Sequence, residues 1–256
     1  MNKKLLAPTL FAAAFILAGC GSETTSTTTA AAAGSTPSAA DDCGGGVQPA
    51  LVRGNRYFDY DVIPNLTASV AKWEVAVTGR VIGWTEGRSV YDVEHVERYA
   101  TVAIEVETAA KVEDPSQRDV AYFDVSLGSD TINAEGIAAD NKPTPEELER
   151  AIPLGTRMIA IGNTAPTPEE ERYAPSIRIE GYEAGRPAGA PLASLTVQGS
   201  LVETKNGCTA SIRAQDQDVS YWTAHAAELA GNEATAATSP GSFQNLVDEL
   251  SNYKPN

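Results

Sequence analysis

Histidine, cysteine and positive charge are all scarce in this 256-residue chain. It has two histidines, three cysteines, and 19 Lys and Arg against 34 Asp and Glu, for a net charge of −15. Each shortage excludes something. With only His95 and His225, and with no Gly-x-Ser-x-Gly turn, a Ser-His-Asp triad has little to be built from. No His-Glu-x-x-His and no cysteine pair at zinc spacing occurs, so no metal is expected. Cys43-Gly44-Gly45-Gly46 is followed by neither Lys-Ser/Thr nor a helix signal, so it is no phosphate cradle, and no cofactor is expected. The acidic balance, with no Lys/Arg cluster, argues against nucleic acid as a partner and against unaided docking on anionic lipid.

Long apolar runs are lacking too. Leu5 to Leu17, broken only by Pro8 and Thr9, falls short of the ~20 residues that span a bilayer. Lys3 and Lys4 precede it and the small Ala18 and Gly19 follow, the order of an export leader covering residues 1–19. Its ending, Leu17-Ala18-Gly19-Cys20, resembles the lipobox of bacterial lipoproteins. The resemblance implies that the Cys20 thiol receives a diacylglyceryl group, with acyl chains such as palmitate, and that cleavage leaves Cys20 as the new N-terminus. The expected location is therefore a cell membrane, lipid-anchored on the extracytoplasmic side. Each buried methylene adds about 0.8 kcal/mol, so two or more chains hold a protein stably where one does not.

Residues 20–46 read as a lipidated tether. Gly21 to Asp42 has no aromatic residue and is rich in Thr, Ala, Ser and Gly, so it lacks the apolar surface that folding requires. As a flexible chain its ends would lie roughly 25 Å apart. With Cys20 given to lipid, Cys43 and Cys208 remain as an even pair in an exported chain, and a disulfide between them is expected.

About 210 residues follow, enough for one large domain. Residues 47–72 read as an irregular lead-in. From Trp73 the pattern turns to strands. Val75, Val77, Gly79 and Val81 alternate with polar or small residues, as do Val102, Ile104 and Val106, and Ala121, Phe123, Val125 and Leu127. Gly79 inside the first of these suggests a bulge or a sharp coil. Arg157 to Gly162 is apolar on both sides and reads as a central strand. Ser176 to Glu180, Leu195 to Val202 and Thr209 to Arg213 are shorter strand candidates.

Two identical pentapeptides, Pro143-Thr144-Pro145-Glu146-Glu147 and Pro166-Thr167-Pro168-Glu169-Glu170, each place Thr, Pro and Glu as a helix-starting capping box. Residues 216–256 turn helical and are expected to pack on the body. Tyr221, Trp222, His225 and Leu229 are expected to share one face, with Gly231 ending that helix. Ser242 is expected to cap a second helix, striped with Phe243, Leu246, Val247 and Leu250.

Three features together resemble the OB-like β-barrel modules of secreted bacterial proteins and, more remotely, metalloproteinase-inhibitor domains. They are the Gly-bearing strand Val77-Thr78-Gly79-Arg80-Val81, the long strands after it, and the Pro153-Leu154-Gly155-Thr156-Arg157 lead-in to an apolar strand. The resemblance implies a mainly β fold: a small antiparallel OB-like barrel over residues 73–215, with short helical insertions and a C-terminal helix. A β-sandwich is the alternative.

Within that frame the candidate ligand contacts are Trp84, in a Gly-Trp-Thr-Glu-Gly loop, and Tyr122, on the face where such barrels bind ligands. Trp73 is expected in the core. Glu105, Glu107, Asp124, Glu180 and Glu183 are expected to point to solvent. Asp59 with Asp61, and Asp216 with Asp218, read as solvated acids rather than calcium ligands. The function expected is a non-enzymatic binding or interaction module of the cell envelope, with an envelope protein or a glycan as partner. The alternative is a carboxylate-dependent hydrolase of envelope glycan or ester.

Overall fold

A computed structural model describes residues 43, 45–53, 60–133, 142–168, 176–213, 216–231, 239 and 241–254. The leader, Cys20, the tether as far as Asp42, Asp59 and the residues from Glu169 in the second pentapeptide lie outside these. So do the side chains of Asp216 and Asp218.

The described residues form seven strands: β1 (Val75–Tyr91), β2 (His95–Lys111), β3 (Val120–Thr131), β4 (Arg157–Thr164), β5 (Arg178–Glu180), β6 (Leu192–Glu203) and β7 (Thr209–Ser211). Five of them close a barrel in the order β1-β2-β3-β6-β4-β1. β5 adds to β1, and β7 adds to β6. The fold is mainly β and OB-like, as the strand pattern implied. Closure removes the sandwich alternative, since a barrel of this kind leaves no open edge among its five strands. All pairings are antiparallel except β3 with β6, which run parallel through Tyr122–Leu192, Phe123–Ala193 and Asp124–Ser194.

β1 and β2 have 17 residues each, long enough to wrap the barrel only if they coil. The coiling is concentrated at register shifts, one of them between Thr78 and Gly79. A Cβ at position 79 would sit 2.0 Å from the Glu105 carbonyl oxygen, so the approach of the two backbones requires glycine there.

Among the described residues five α-helices dress the barrel: α1 (Pro49–Arg53), α2 (Leu66–Lys72), α3 (Pro145–Ala151), α4 (Asp216–Leu229) and α5 (Ser242–Ser251). The lead-in at 47–72 is thus partly helical, and α2 starts on Asn65, whose side chain accepts from the Ala68 N–H. α3 begins with the capping box expected of the first pentapeptide: Thr144 accepts from the Glu147 N–H, and the Glu147 carboxylate accepts from the Thr144 N–H. Ser242 does not cap α5. Gly241 holds that position with φ 79°, and the buried Ser242 hydroxyl instead pairs with Thr209 Oγ1 at 3.0 Å.

Two apolar layers result. Inside the barrel lie Val77, Val102, Phe123, Met158, Leu195 and Val202, closed at one end by Leu148 and Ile152 of the α3 segment. On the outside of β1, β4 and β6, Ala76, Ile159, Ile161 and Leu201 pack under Leu66, Trp222, Phe243 and Leu246 of α2, α4 and α5. β4 is apolar on both faces because both are covered. On α4 the buried side is Val219, Trp222, Thr223 and Ala226. Tyr221 and Leu229, expected on that face, are 56% and 63% exposed.

Cys43 and Cys208 form a disulfide, with Cα atoms 5.7 Å apart and a sequence separation of 165. Beyond it the chain lies against α3: the Gln48 N–H donates to the Ala151 carbonyl at 2.6 Å, and Val52 is buried. Among the described residues no helix is long and apolar enough to cross a membrane.

Candidate functional site

Trp84 and Tyr122 lie on opposite faces of the sheet. Trp84 stands opposite Val102 and points into the barrel, 5% exposed, where its indole Nε1 donates to the Ile152 carbonyl at 3.1 Å. Tyr122 pairs with Ala103 and lies half-buried on the outside. Trp84 is therefore core rather than an exposed contact, and the two rings do not share a surface. A register shift between Val81 and Gly83 reverses the in–out parity of β1, which turns Trp84 inward. Trp73, expected in the core, is only half-buried and carries Lys72 over its ring at 4.7 Å.

The outer face of β1, β2 and β3 is where an OB-like barrel offers a binding surface. Here it is occupied by the protein itself. A second register shift, between Glu86 and Ser89, sends Arg88 outward onto Asp124. Nε donates to Oδ2 at 2.8 Å, and the two side chains are 4% and 1% exposed. The guanidinium also donates to the Pro166 carbonyl at 3.3 Å and lies 5.0 Å from the centre of the Tyr99 ring. Asp124 is thus not a solvent-facing carboxylate. Burial pushes its pKa up, and Arg88 opposes that shift. Burial, with Glu97 and Asp124 nearby, holds the Tyr99 phenol protonated far above its ordinary range. Glu105, Glu107, Glu180 and Glu183 are exposed.

The segment 181–190 straps over this face. Thr101 Oγ1 donates to the Ala184 carbonyl at 3.3 Å, and Thr85 Oγ1 to the Gly185 carbonyl at 3.2 Å. Gly185 has φ +79°, and a Cβ there would lie 2.3 Å from Thr85 Oγ1, so the strap needs glycine to sit this close.

A recess opens at the barrel mouth, about 170 Å³ in volume, between the far ends of β1 and β2 and the start of α3. Its apolar wall includes Ala100, Leu127, Leu148 and Pro145. Its polar rim includes Glu86, Ser89, Arg98 and Lys142. Lys142 is occupied, its Nζ 2.9 Å from Asp130 Oδ1. Arg98 is not: its Nε is buried, and its guanidinium makes no hydrogen bond or ion pair with a described residue. Sequence reasoning missed this site. Arg98 carries no motif; two positions before Ala100 on β2, it shares that residue's face by simple alternation, and only the placement of Ser89, Leu127 and Lys142 around it makes a recess.

The histidines stand apart from the recess. His95 is exposed at the β1–β2 hairpin, 3.5 Å from Asp92, and His225 is half-buried on α4. Among the described residues no three His, Cys, Asp or Glu side chains gather to hold a metal ion.

No protein-family model, curated protein or solved structure matches this chain.

Proposed function

We propose that the protein is a lipid-anchored, extracytoplasmic binding module of the cell envelope, held to the membrane through Cys20 and acting without catalysis. The observation that carries this reading is the Cys43–Cys208 disulfide. Structural disulfides persist in oxidising compartments outside the cytoplasm, which is where a lipobox would deliver the chain. The bridge joins the base of the tether to the region just after β6, so a pull on the anchor is passed to the body by a covalent bond near the membrane-proximal end of the sequence.

The binding part of the reading is supported by the recess at the barrel mouth, a concave apolar wall with a few polar groups converging on it. The strapped outer face and the inward Trp84 leave this mouth as the better place for a ligand than the strand face named from the sequence.

The test is fractionation of the full chain beside its Cys20→Ser variant, with metabolic labelling by a fatty acid. The wild type is expected in the membrane fraction, labelled and cleaved. Cys20→Ser is expected unlabelled and uncleaved. A variant that is cleaved and partitions like the wild type overturns the reading.

A further inference from the structure

Arg80, Arg88, Arg157 and Arg178 each meet a carboxylate within 4 Å, as expected in a chain with 34 acidic residues and 19 basic ones. Arg98 meets none among the described residues, although it is partly buried. A guanidinium Nε withdrawn from water without a partner is unfavourable, and burying part of a charge is better tolerated when something pairs with it. Lys142, the nearby cation, is already neutralised by Asp130, so an arriving anion would fall to Arg98.

We infer that the recess at the barrel mouth binds a small organic carboxylate, its carboxylate on the Arg98 guanidinium and its apolar body against Ala100, Leu127, Leu148 and Pro145. The planar guanidinium can donate two parallel hydrogen bonds to a carboxylate, which a point cation cannot match. The volume, about 170 Å³, is well below that of pockets for drug-sized molecules, so the body is limited to a short branched chain or a single ring. The apolar wall sets the preference against inorganic anions, which gain nothing from it. Ser89, paired with Arg98 across the ladder, adds a hydroxyl at the rim. The inference rests on the binding-module reading but not on the anchor.

The test is calorimetric titration of the full chain, disulfide intact, with 4-methylpentanoate, benzoate, benzamide and inorganic phosphate. Expected is one-to-one binding of a carboxylate with a Kd of about 1 mM or tighter, and at least about tenfold weaker binding of benzamide and phosphate. Arg98→Met is expected to weaken the carboxylate at least about tenfold. Arg98→Lys is expected to recover part of that loss. Because Arg98 has no partner among the described residues, Arg98→Met is also expected to melt at or above the wild-type temperature, the usual signature of a residue kept for binding rather than stability.

No carboxylate binding below about 10 mM, binding unchanged in Arg98→Met, phosphate binding as tightly as the carboxylates, or a clearly lowered melting temperature in Arg98→Met overturns the inference. Benzamide bound in place of the carboxylates would keep the recess as a ligand site and remove the anion. A recess that binds none of the four removes this support for the binding reading as well.

Discussion

Arg88 and Asp124, 36 positions apart, meet at 2.8 Å under the 181–190 strap with almost none of either side chain exposed. The pair ties β1 to β3, and through the Pro166 carbonyl and Ser194 Oγ it reaches the segment after β4 and the start of β6. Removing one partner leaves the other charge buried, a loss of about 3–5 kcal/mol in such pairs. Arg88→Met and Asp124→Leu should each show that loss in urea denaturation at neutral pH. The double variant should lie closer to wild type than either single one, because no orphaned charge remains. Single losses under about 1 kcal/mol would show that the pair is solvated.

How much of this was legible beforehand depends on where parity held. The Val75–Val77 alternation, the two-sided apolarity of β4 and the Thr144 capping box are local patterns, and local patterns survive into the fold. The shifts between Val81 and Gly83 and between Glu86 and Ser89 are not local. Each inserts a residue in β1 relative to β2, so Trp84 turns in and Arg88 turns out. Trp84 reads as a loop residue because Gly83 and Gly87 flank it, yet β1 runs on through it to Tyr91, and the first shift turns its ring inward. Asp124 failed for a different reason. It was placed outward, correctly for β3, but the strap and the Arg88 side chain that cover it come from distant parts of the chain. Arg98 carried no recognisable motif, since an unpaired charge can be seen only once its neighbours are placed.

Gly79 offers a test of the barrel closure itself. The Glu105 carbonyl leaves no room for a methyl group, and the obstacle is backbone on a central strand rather than a side chain that could swing away. Gly79→Ala should cost about 3 kcal/mol, the upper end for overpacking, and should open the β1–β2 ladder on that side. Gly155→Ala is the control. There the space is open and only the positive φ of +84° is strained, so a cost of about 1–2 kcal/mol is expected. Equal effects of the two substitutions, read from thermal melts, would contradict the close approach of β1 and β2.

The hairpin tip carries a pH dependence of known sign. Asp92 Oδ1 accepts from the Glu94 and His95 N–H groups at 2.8 and 2.6 Å, and these bonds, with His95 nearby, hold its carboxyl below the ordinary aspartate range. A depressed folded-state pKa stabilises the turn at every pH above the ordinary value and loses that effect as pH falls through the depressed one. Amide exchange at Glu94 and His95 should therefore show protection, corrected for intrinsic rate, that fades only below about pH 4. Asp92→Asn keeps an acceptor oxygen and removes the titration, so its protection should be flat across the same range. Fading with the same midpoint in both proteins would place the titrating group elsewhere.

The disulfide makes the sharpest demand on environment. Cross-linking positions 165 residues apart removes unfolded-chain entropy worth about 5 kcal/mol in the loop-closure model, and loss of a native bridge from a secreted domain is measured at about 2–5 kcal/mol. Cys208 is fully buried beside β7 and the Thr204 turn, where the Thr204 N–H donates to its carbonyl at 2.7 Å. Cys43→Ser should thus leave a buried thiol and shift the urea midpoint down, and reducing agent should do the same to the wild type but not to the variant. The strands should persist, because the barrel ladders and the apolar layer beneath α4 and α5 do not pass through the bridge. What should change first is the stretch that the bridge pins, α1 and its contact with Ala151, visible as faster exchange of the Gln48 N–H. If reduction leaves both that amide and the midpoint unmoved, the bridge is no staple, and nothing in the fold then requires an oxidising compartment.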